Sequence, residues 1–228
     1  MQKLYHYVHC PFCIRIRMAL GYFNEKWESH VLPYDDEMTP KQLTGVKMLP
    51  IFEFENGKIM NESLQIIQKL QDQHTEKSLQ MQNLKTEDGS VFQAYLDKLG
   101  GAIHNLCMPY FIYTAEFDEP ARQYFRQKKE KKRGPFYKLV QNRDQFIERL
   151  ELLLEELEDE FIPYYRCQTM SIFDIMLASQ LWGLYILPEF QFSSKIHQYL
   201  QDIKVATQFD YHEDFWKTPE ALFKRNSL

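Results

Sequence analysis

Cysteine is scarce and unevenly placed. The 228-residue chain has four, of which Cys10 and Cys13 lie close together while Cys107 and Cys167 stand alone. Four thiols in this arrangement do not make the framework of a small disulfide-stapled domain. A structural zinc site takes four Cys or His ligands, commonly as two close pairs, and the second pair is missing. No HxxxH pair suggests a catalytic zinc. Positive charge is not in excess either. A net charge of −5 gives no general attraction for nucleic acid or an anionic membrane. No stretch approaches the roughly 20 uninterrupted apolar residues of a membrane span. Residues 1–4 pass straight into a strand pattern, without the apolar core and cleavage site of a secretory signal. These absences predict a cytoplasmic protein with no nucleic-acid or membrane partner. In that compartment the close cysteine pair is left with metal or redox chemistry.

What is present has a clear order. "KLYHYV" (3–8) is rich in β-formers and runs directly into "CPFC" (10–13). From Pro11 to about Phe23 the apolar spacing predicts a helix, closed by Gly21 and Asn24. "WESHVLP" (27–33) alternates as a second strand, and a short helix is expected after Thr39-Pro40. "PIFEF" (50–54) and "KIMN" (58–61) flank Asn56-Gly57, a strong hairpin signal, and "ESLQIIQKLQDQH" (62–74) has helical spacing. This is a βαβ half followed by a ββα half. Residues 76–90 read as a linker between a first domain (1–75) and a second (91–228). The second reads as helices at 91–107, 119–131, 143–161, 171–187 and 193–207. The basic run 126–133, "RQKKEKKR", reads as a solvated face.

The chemistry concentrates at the first strand–helix junction. Pro11 suits the first helical position, which puts Cys10 at the N-cap. There the unpaired N–H groups and the positive helix end stabilise a thiolate and lower its pKa. Cys13 lies one turn deeper on the same face, placed to attack a mixed disulfide on Cys10. His9 and Arg15 read as packed and solvent-facing side chains respectively. Ser63 at the next helix start either caps that helix or, with its free amides, holds a carboxylate while Glu62 receives an ammonium group. A γ-glutamyl group carries both charges on one carbon.

"CPFC", the "LP" before the third strand and the "ES" of Glu62-Ser63 together resemble the glutaredoxins and glutathione-transferase-fold proteins. With "NESLQII" and "YFRQKKE", and with a helical second half, the chain is similar to the large two-domain bacterial glutaredoxins. The resemblance implies an α/β thioredoxin-like first domain and an all-α second domain, the glutathione transferase fold. It also implies a thiol–disulfide oxidoreductase with catalytic Cys10 and Cys13 and with glutathione as co-substrate, no metal being required. Pro11, Phe12, Leu49, Pro50, Glu62 and Ser63 would form the glutathione site, with Pro50 in cis. Disulfide or glutathionylated proteins are the implied substrates, and a monomer is expected. Phe12 stands where glutaredoxins usually have tyrosine, and Leu49 where valine is commoner. "MSIFDI" (170–175) reads as a capping box, with Ser171 as N-cap, Asp174 as its partner, and Met170 and Ile175 as the apolar staple. A conjugating glutathione transferase and a non-catalytic or iron–sulfur-bridging module are the rival readings. The segment 207–228 has no assigned role, although Phe215, Trp216 and Leu222 would most simply pack on the helices.

Overall fold

The structure is a computed structural model, and it describes residues 1–187 and 189–214. Strand β1 (Gln2–His6) leads into helix α1 (Pro11–Tyr22), and β2 (Trp27–Val31) follows. After α2 (Met38–Thr44) come β3 (Ile51–Glu53), β4 (Ile59–Met60) and α3 (Ser63–Gln71). The sheet order is β2-β1-β3-β4, with β2 parallel to β1 and the other pairs antiparallel. The hairpin turns where expected: Gly57 takes φ +79° and donates its N–H to the Phe54 carbonyl at 2.8 Å.

The second half is helical. It comprises α4 (Glu87–Phe111), α5 (Glu119–Arg133), α6 (Phe136–Gln141), α7 (Arg143–Glu158), α8 (Ile172–Leu181) with a 3₁₀ turn (Trp182–Ile186), and α9 (Ser194–Thr207). Helix α4 begins four residues before the apolar rhythm does because Thr86 caps it, accepting from Gly89 N–H. Helix α6 falls in a six-residue stretch too short to show a period, and the sequence reading lacks it. Among the described residues no helix is long and apolar enough to cross a membrane.

Helix α1 joins the two halves. It packs against α3 on its own side and against α8 and α9 on the other, so nearly every one of its residues is buried. That enclosure corrects two expectations. Arg15 is not solvent-facing: it is 4% exposed, and its neighbour Arg17 is buried too, pairing with Asp214 at 2.7 Å under the turn that follows α9. Gly21 does not close the helix but lies inside it; a Cβ there would meet the Thr207 carbonyl oxygen at 1.8 Å. Glycine at 21 is what lets α9 approach. Phe209 and Tyr211 bury against this seam, whereas Phe215, Trp216 and Leu222 lie outside the described residues.

Helix α8 starts with the expected capping box. Ser171 donates its N–H and its hydroxyl to Asp174 Oδ2, each at 2.8 Å. Asp174 also accepts from Tyr165 N–H (2.7 Å) and the Tyr199 hydroxyl (3.1 Å), which ties α8 to α9 and to the loop before it. Like α1, α8 is apolar on nearly every side because it is enclosed on nearly every side.

Candidate active site

Cys10 is the N-cap of α1, with extended backbone (φ −84°, ψ 118°) and Pro11 in the first turn. It is partly exposed, whereas Cys13 is fully buried beneath it; neither forms a disulfide. The Cys10 carbonyl accepts from Cys13 and Ile14 N–H at 3.0 Å each, closing the first turn and leaving the sulfur at the helix's positive end.

The two thiols titrate in opposite directions. Cys10 is drawn down to about 6: the hydrogen bond from Cys13 lowers it most, burial opposes, and the His9 charge and the Cys13 and Phe12 amides lower it further. Burial, followed by the hydrogen bond and negative charge of Cys10, raises Cys13 well above the ordinary thiol range. One sulfur is therefore a thiolate near neutral pH and the other a protonated donor.

His9 is packed, as the sequence suggests, but it is also paired. Its backbone N–H (3.0 Å) and its Nδ1 (2.5 Å) both contact Glu116 Oε1, and Glu116 is completely buried between α4 and α5. The ring sits in an aromatic box: Tyr7, Tyr34, Phe111, Phe117 and Phe125 have centroids 5.2–5.8 Å away. Burial pushes the Glu116 carboxyl up, but the hydrogen bonds and charge of His9 outweigh it and hold the carboxyl below its usual range. The helical half thus grips the residue next to Cys10. The 107-residue separation hides this pair from any local pattern; an acid flanked by Ala115 and Phe117 is the only hint in the sequence.

A cavity of about 610 Å³ opens over Cys10, between the two halves. It brings together all the predicted site residues except Cys13, which lies below the floor: Cys10, Pro11, Phe12, Leu49, Pro50, Glu62 and Ser63 all line it. The Leu49-Pro50 bond is cis, as expected. Phe12 is about half exposed (48%), its ring stacked under the Arg15 guanidinium at 4.6 Å. Burial lowers the Arg15 pKa to about 10.

At α3 the N-cap is Glu62, and no side chain caps the helix. Ser63 is the first helical residue, so the reading of Ser63 as a cap is not realised. The first amides of α3 remain open toward the cavity and toward a smaller adjoining cleft of about 340 Å³, which Glu62 and Ser63 also line. The opposite wall holds residues the sequence reading did not select: Lys129, Lys132 and Arg133 from α5, and His104 and Met108 from α4. The basic run 126–133 is not a uniformly solvated face, since Lys129 and Arg133 are half-buried in this wall. Among the described residues no three His, Cys, Asp or Glu side chains come together as metal ligands would.

A thioredoxin-like sheet with a CxxC at an uncapped helix start, carrying an all-helical second half, defines the class: a thiol–disulfide oxidoreductase on the glutathione transferase fold. Comparison with known proteins narrows this. Residues 4–78 match the family described as Glutathione S-transferase, N-terminal domain, and residues 91–215 match Glutaredoxin 2, C terminal domain. Glutaredoxin 2 of Escherichia coli K12 is 32% identical over 213 residues, covering 91% of this chain and 96% of that protein. The crystal structure of Glutaredoxin 2 from Salmonella typhimurium, in complex with glutathione, matches with TM-score 0.82 and 30% identity over 92% of this chain and 96% of that one. A glutathione transferase from Phanerochaete chrysosporium shares the fold at 14% identity, with TM-score 0.75 over 92% of this chain and 98% of that one. The chain belongs to the glutaredoxin 2 family, and it is a glutaredoxin-type thiol–disulfide oxidoreductase.

Proposed function

We propose that this protein reduces disulfides, glutathione mixed disulfides above all, with Cys10 as the nucleophile and glutathione as the electron donor. The observation that carries the reading is a single cavity in which the lowered-pKa thiol of Cys10 faces the open N-terminus of α3 and the Glu62 carboxylate. Cys10 thiolate attacks the glutathionyl sulfur; a Cys10–glutathione disulfide forms, the old S–S bond breaks, and the other half leaves as thiolate. A second glutathione thiolate, or Cys13 once it loses its proton, then displaces the bound glutathione.

The bound γ-glutamyl group would place its carboxylate on the α3 amides and Ser63 and its ammonium on Glu62. Backbone groups of Leu49 would align the rest of the tripeptide beside Pro50, with Pro11 and Phe12 forming the near wall. In the Salmonella relative, glutathione is the bound molecule. Glutaredoxin potentials of about −200 to −230 mV lie near the biochemical cytosolic glutathione poise of about −220 to −260 mV, so the pool can drive either half-reaction. The reading includes a monomer acting in the cytoplasm, and protein disulfides remain within its substrate range.

The test is a glutathione-coupled reduction assay on wild type, Cys10→Ser and Cys13→Ser. Cys10→Ser is expected to lose activity altogether. Cys13→Ser is expected to keep turnover on glutathione mixed disulfides, where glutathione itself can resolve the intermediate. Normal turnover in Cys10→Ser would remove the proposed nucleophile.

A further inference from the structure

The two walls of the Cys10 cavity differ in charge. On the sheet side stands Glu62, whereas the last turn and a half of α5 presents Lys129, Lys132 and Arg133, at spacings that share one helix face. Among the described residues no carboxylate pairs with them. Glu130, the acid within the run, is engaged elsewhere: its Oε1 accepts from Phe136 N–H at 2.9 Å and lies 3.6 Å from Arg126. Glu37, the other acid near this face, is taken by Lys41, Lys47 and Lys128. Arg133 donates to the neutral acceptors Asn105 Oδ1 and Gly101 O, and among the described residues neither Lys129 nor Lys132 has a carboxylate partner. Burial lowers the Lys129 pKa, and the neighbouring Arg133, Lys132 and Lys128 lower it further, while the Cys10 charge opposes. In a chain of net charge −5 this concentration of cations over one cavity is local. Crowding like charges in a half-dry wall costs stability unless an anion enters.

We infer that this wall receives the departing half of the disulfide, and that the preferred substrate is a small disulfide whose departing thiol carries carboxylate. The inference rests on the glutathione reading above, which puts the glutathionyl half against Leu49, Glu62 and Ser63. The other half then leaves from the opposite side of the sulfur, beneath Lys129, Lys132 and Arg133. A cavity of about 610 Å³ has the dimensions of a small-ligand site, and Cys10 is only partly exposed, so a compact substrate suits it better than a folded protein surface. In the exchange the Cys10 sulfur bonds to the glutathionyl sulfur and the electron pair of the broken S–S bond goes to the departing thiolate. That step gives the departing group a further negative charge facing the same cations, so the wall also favours the product as it forms.

The test uses three glutathione mixed disulfides whose departing thiols are 3-mercaptopropionate, 2-mercaptoethanol and cysteamine, which are anionic, neutral and cationic respectively. Departing thiols differ in intrinsic reactivity, so the readout is the ratio of wild-type kcat/KM to that of a Lys129→Gln, Lys132→Gln, Arg133→Gln triple variant, for each substrate. The expected ratio is about tenfold for the anion, smaller for the neutral compound and below one for the cation, as Coulomb attraction in a partly shielded cavity gives. In wild type alone, raising salt from about 0.05 to about 0.5 M should slow the anion relative to the cation, which tests the charge effect without a variant. Equal ratios for all three substrates, or no relative salt effect, overturn the inference. So does a larger loss with a glutathionylated acidic peptide than with the small anion, which would make a peptide the occupant. Failure of wild type to reduce any of the three would instead refute the glutathione reading itself.

Discussion

Replacing Cys13 by alanine should move the titration of Cys10 more than any change outside the pair. The hydrogen bond donated by the Cys13 thiol is the largest of the effects that bring Cys10 down to about 6, ahead of the His9 charge and the helix amides. Hydrogen bonds to a charged group contribute about 1.5–3 kcal/mol, and a thiol donor belongs at the low end. At 1.36 kcal/mol per pKa unit, its loss raises Cys10 by about 1 to 2 units, to about 7 or 8. The fraction of thiolate at pH 7 then falls from about nine-tenths to somewhere between a half and a tenth. Cys13→Ser keeps an O–H donor at the same place and should restore most of the shift. The assay is the rate of iodoacetamide alkylation against pH, read at Cys10 by peptide mass spectrometry. Site resolution matters because Cys167 also lies partly exposed, with hydrogen bonds to Thr169 holding its own thiol below the ordinary range. If Cys13→Ala titrates at the wild-type pH, the helix terminus and His9 set the thiolate unaided and the donor role assigned to Cys13 is wrong.

How much of this site could be read from the chain follows from how local each interaction is. Cys10, Pro11 and Cys13 declare themselves because a strand, an N-cap and one helical turn all fall within ten residues. Leu49-Pro50 and Glu62-Ser63 stand out only through the family resemblance; from the residues alone Ser63 reads equally as a helix cap, and the structure puts Glu62 at that position instead. Arg15 departs from the sequence expectation, which rests on helix arginines usually facing solvent; here α8 covers the helix from the far half, and the guanidinium reaches Ser179 at 3.4 Å. The basic run departs from its expectation through tertiary packing too. Its charge pattern describes α5 correctly, but which face meets Cys10 depends on how α4 and α5 pack over the sheet. His9–Glu116 and the α5 wall are products of docking two halves, and no spacing within either half encodes them.

Two further predictions concern groups that hold the site rather than react in it. Asp174 accepts four hydrogen bonds from buried or nearly buried donors, so Asp174→Ala leaves those donors unsatisfied at about 1–3 kcal/mol each. Denaturant unfolding should show a loss of several kcal/mol, with the pH of Cys10 alkylation unchanged in the folded fraction; an unchanged midpoint would show that the capping box is not needed to anchor α8. Glu116→Gln removes the charge from a fully buried acceptor that the His9 N–H and Nδ1 both contact beside the nucleophile, and should cost about 3–5 kcal/mol. It should also raise the Cys10 titration, since Glu116 positions the His9 ring whose charge helps to lower it, and Glu116→Asp should recover part of both effects. The pH dependence has a definite sign. The Glu116 carboxyl lies below its unfolded value in the native protein, so its contribution is present above the unfolded carboxyl pKa of about 4.3 and is lost as pH falls through the lower folded value. Wild type should therefore lose stability on acidification through that window more steeply than Glu116→Gln, measured as unfolding free energy between about pH 6 and pH 3. Parallel curves for the two proteins would mean that Glu116 is not ionised in the fold, and the electrostatic grip of the helical half on His9 would have to be replaced by packing alone.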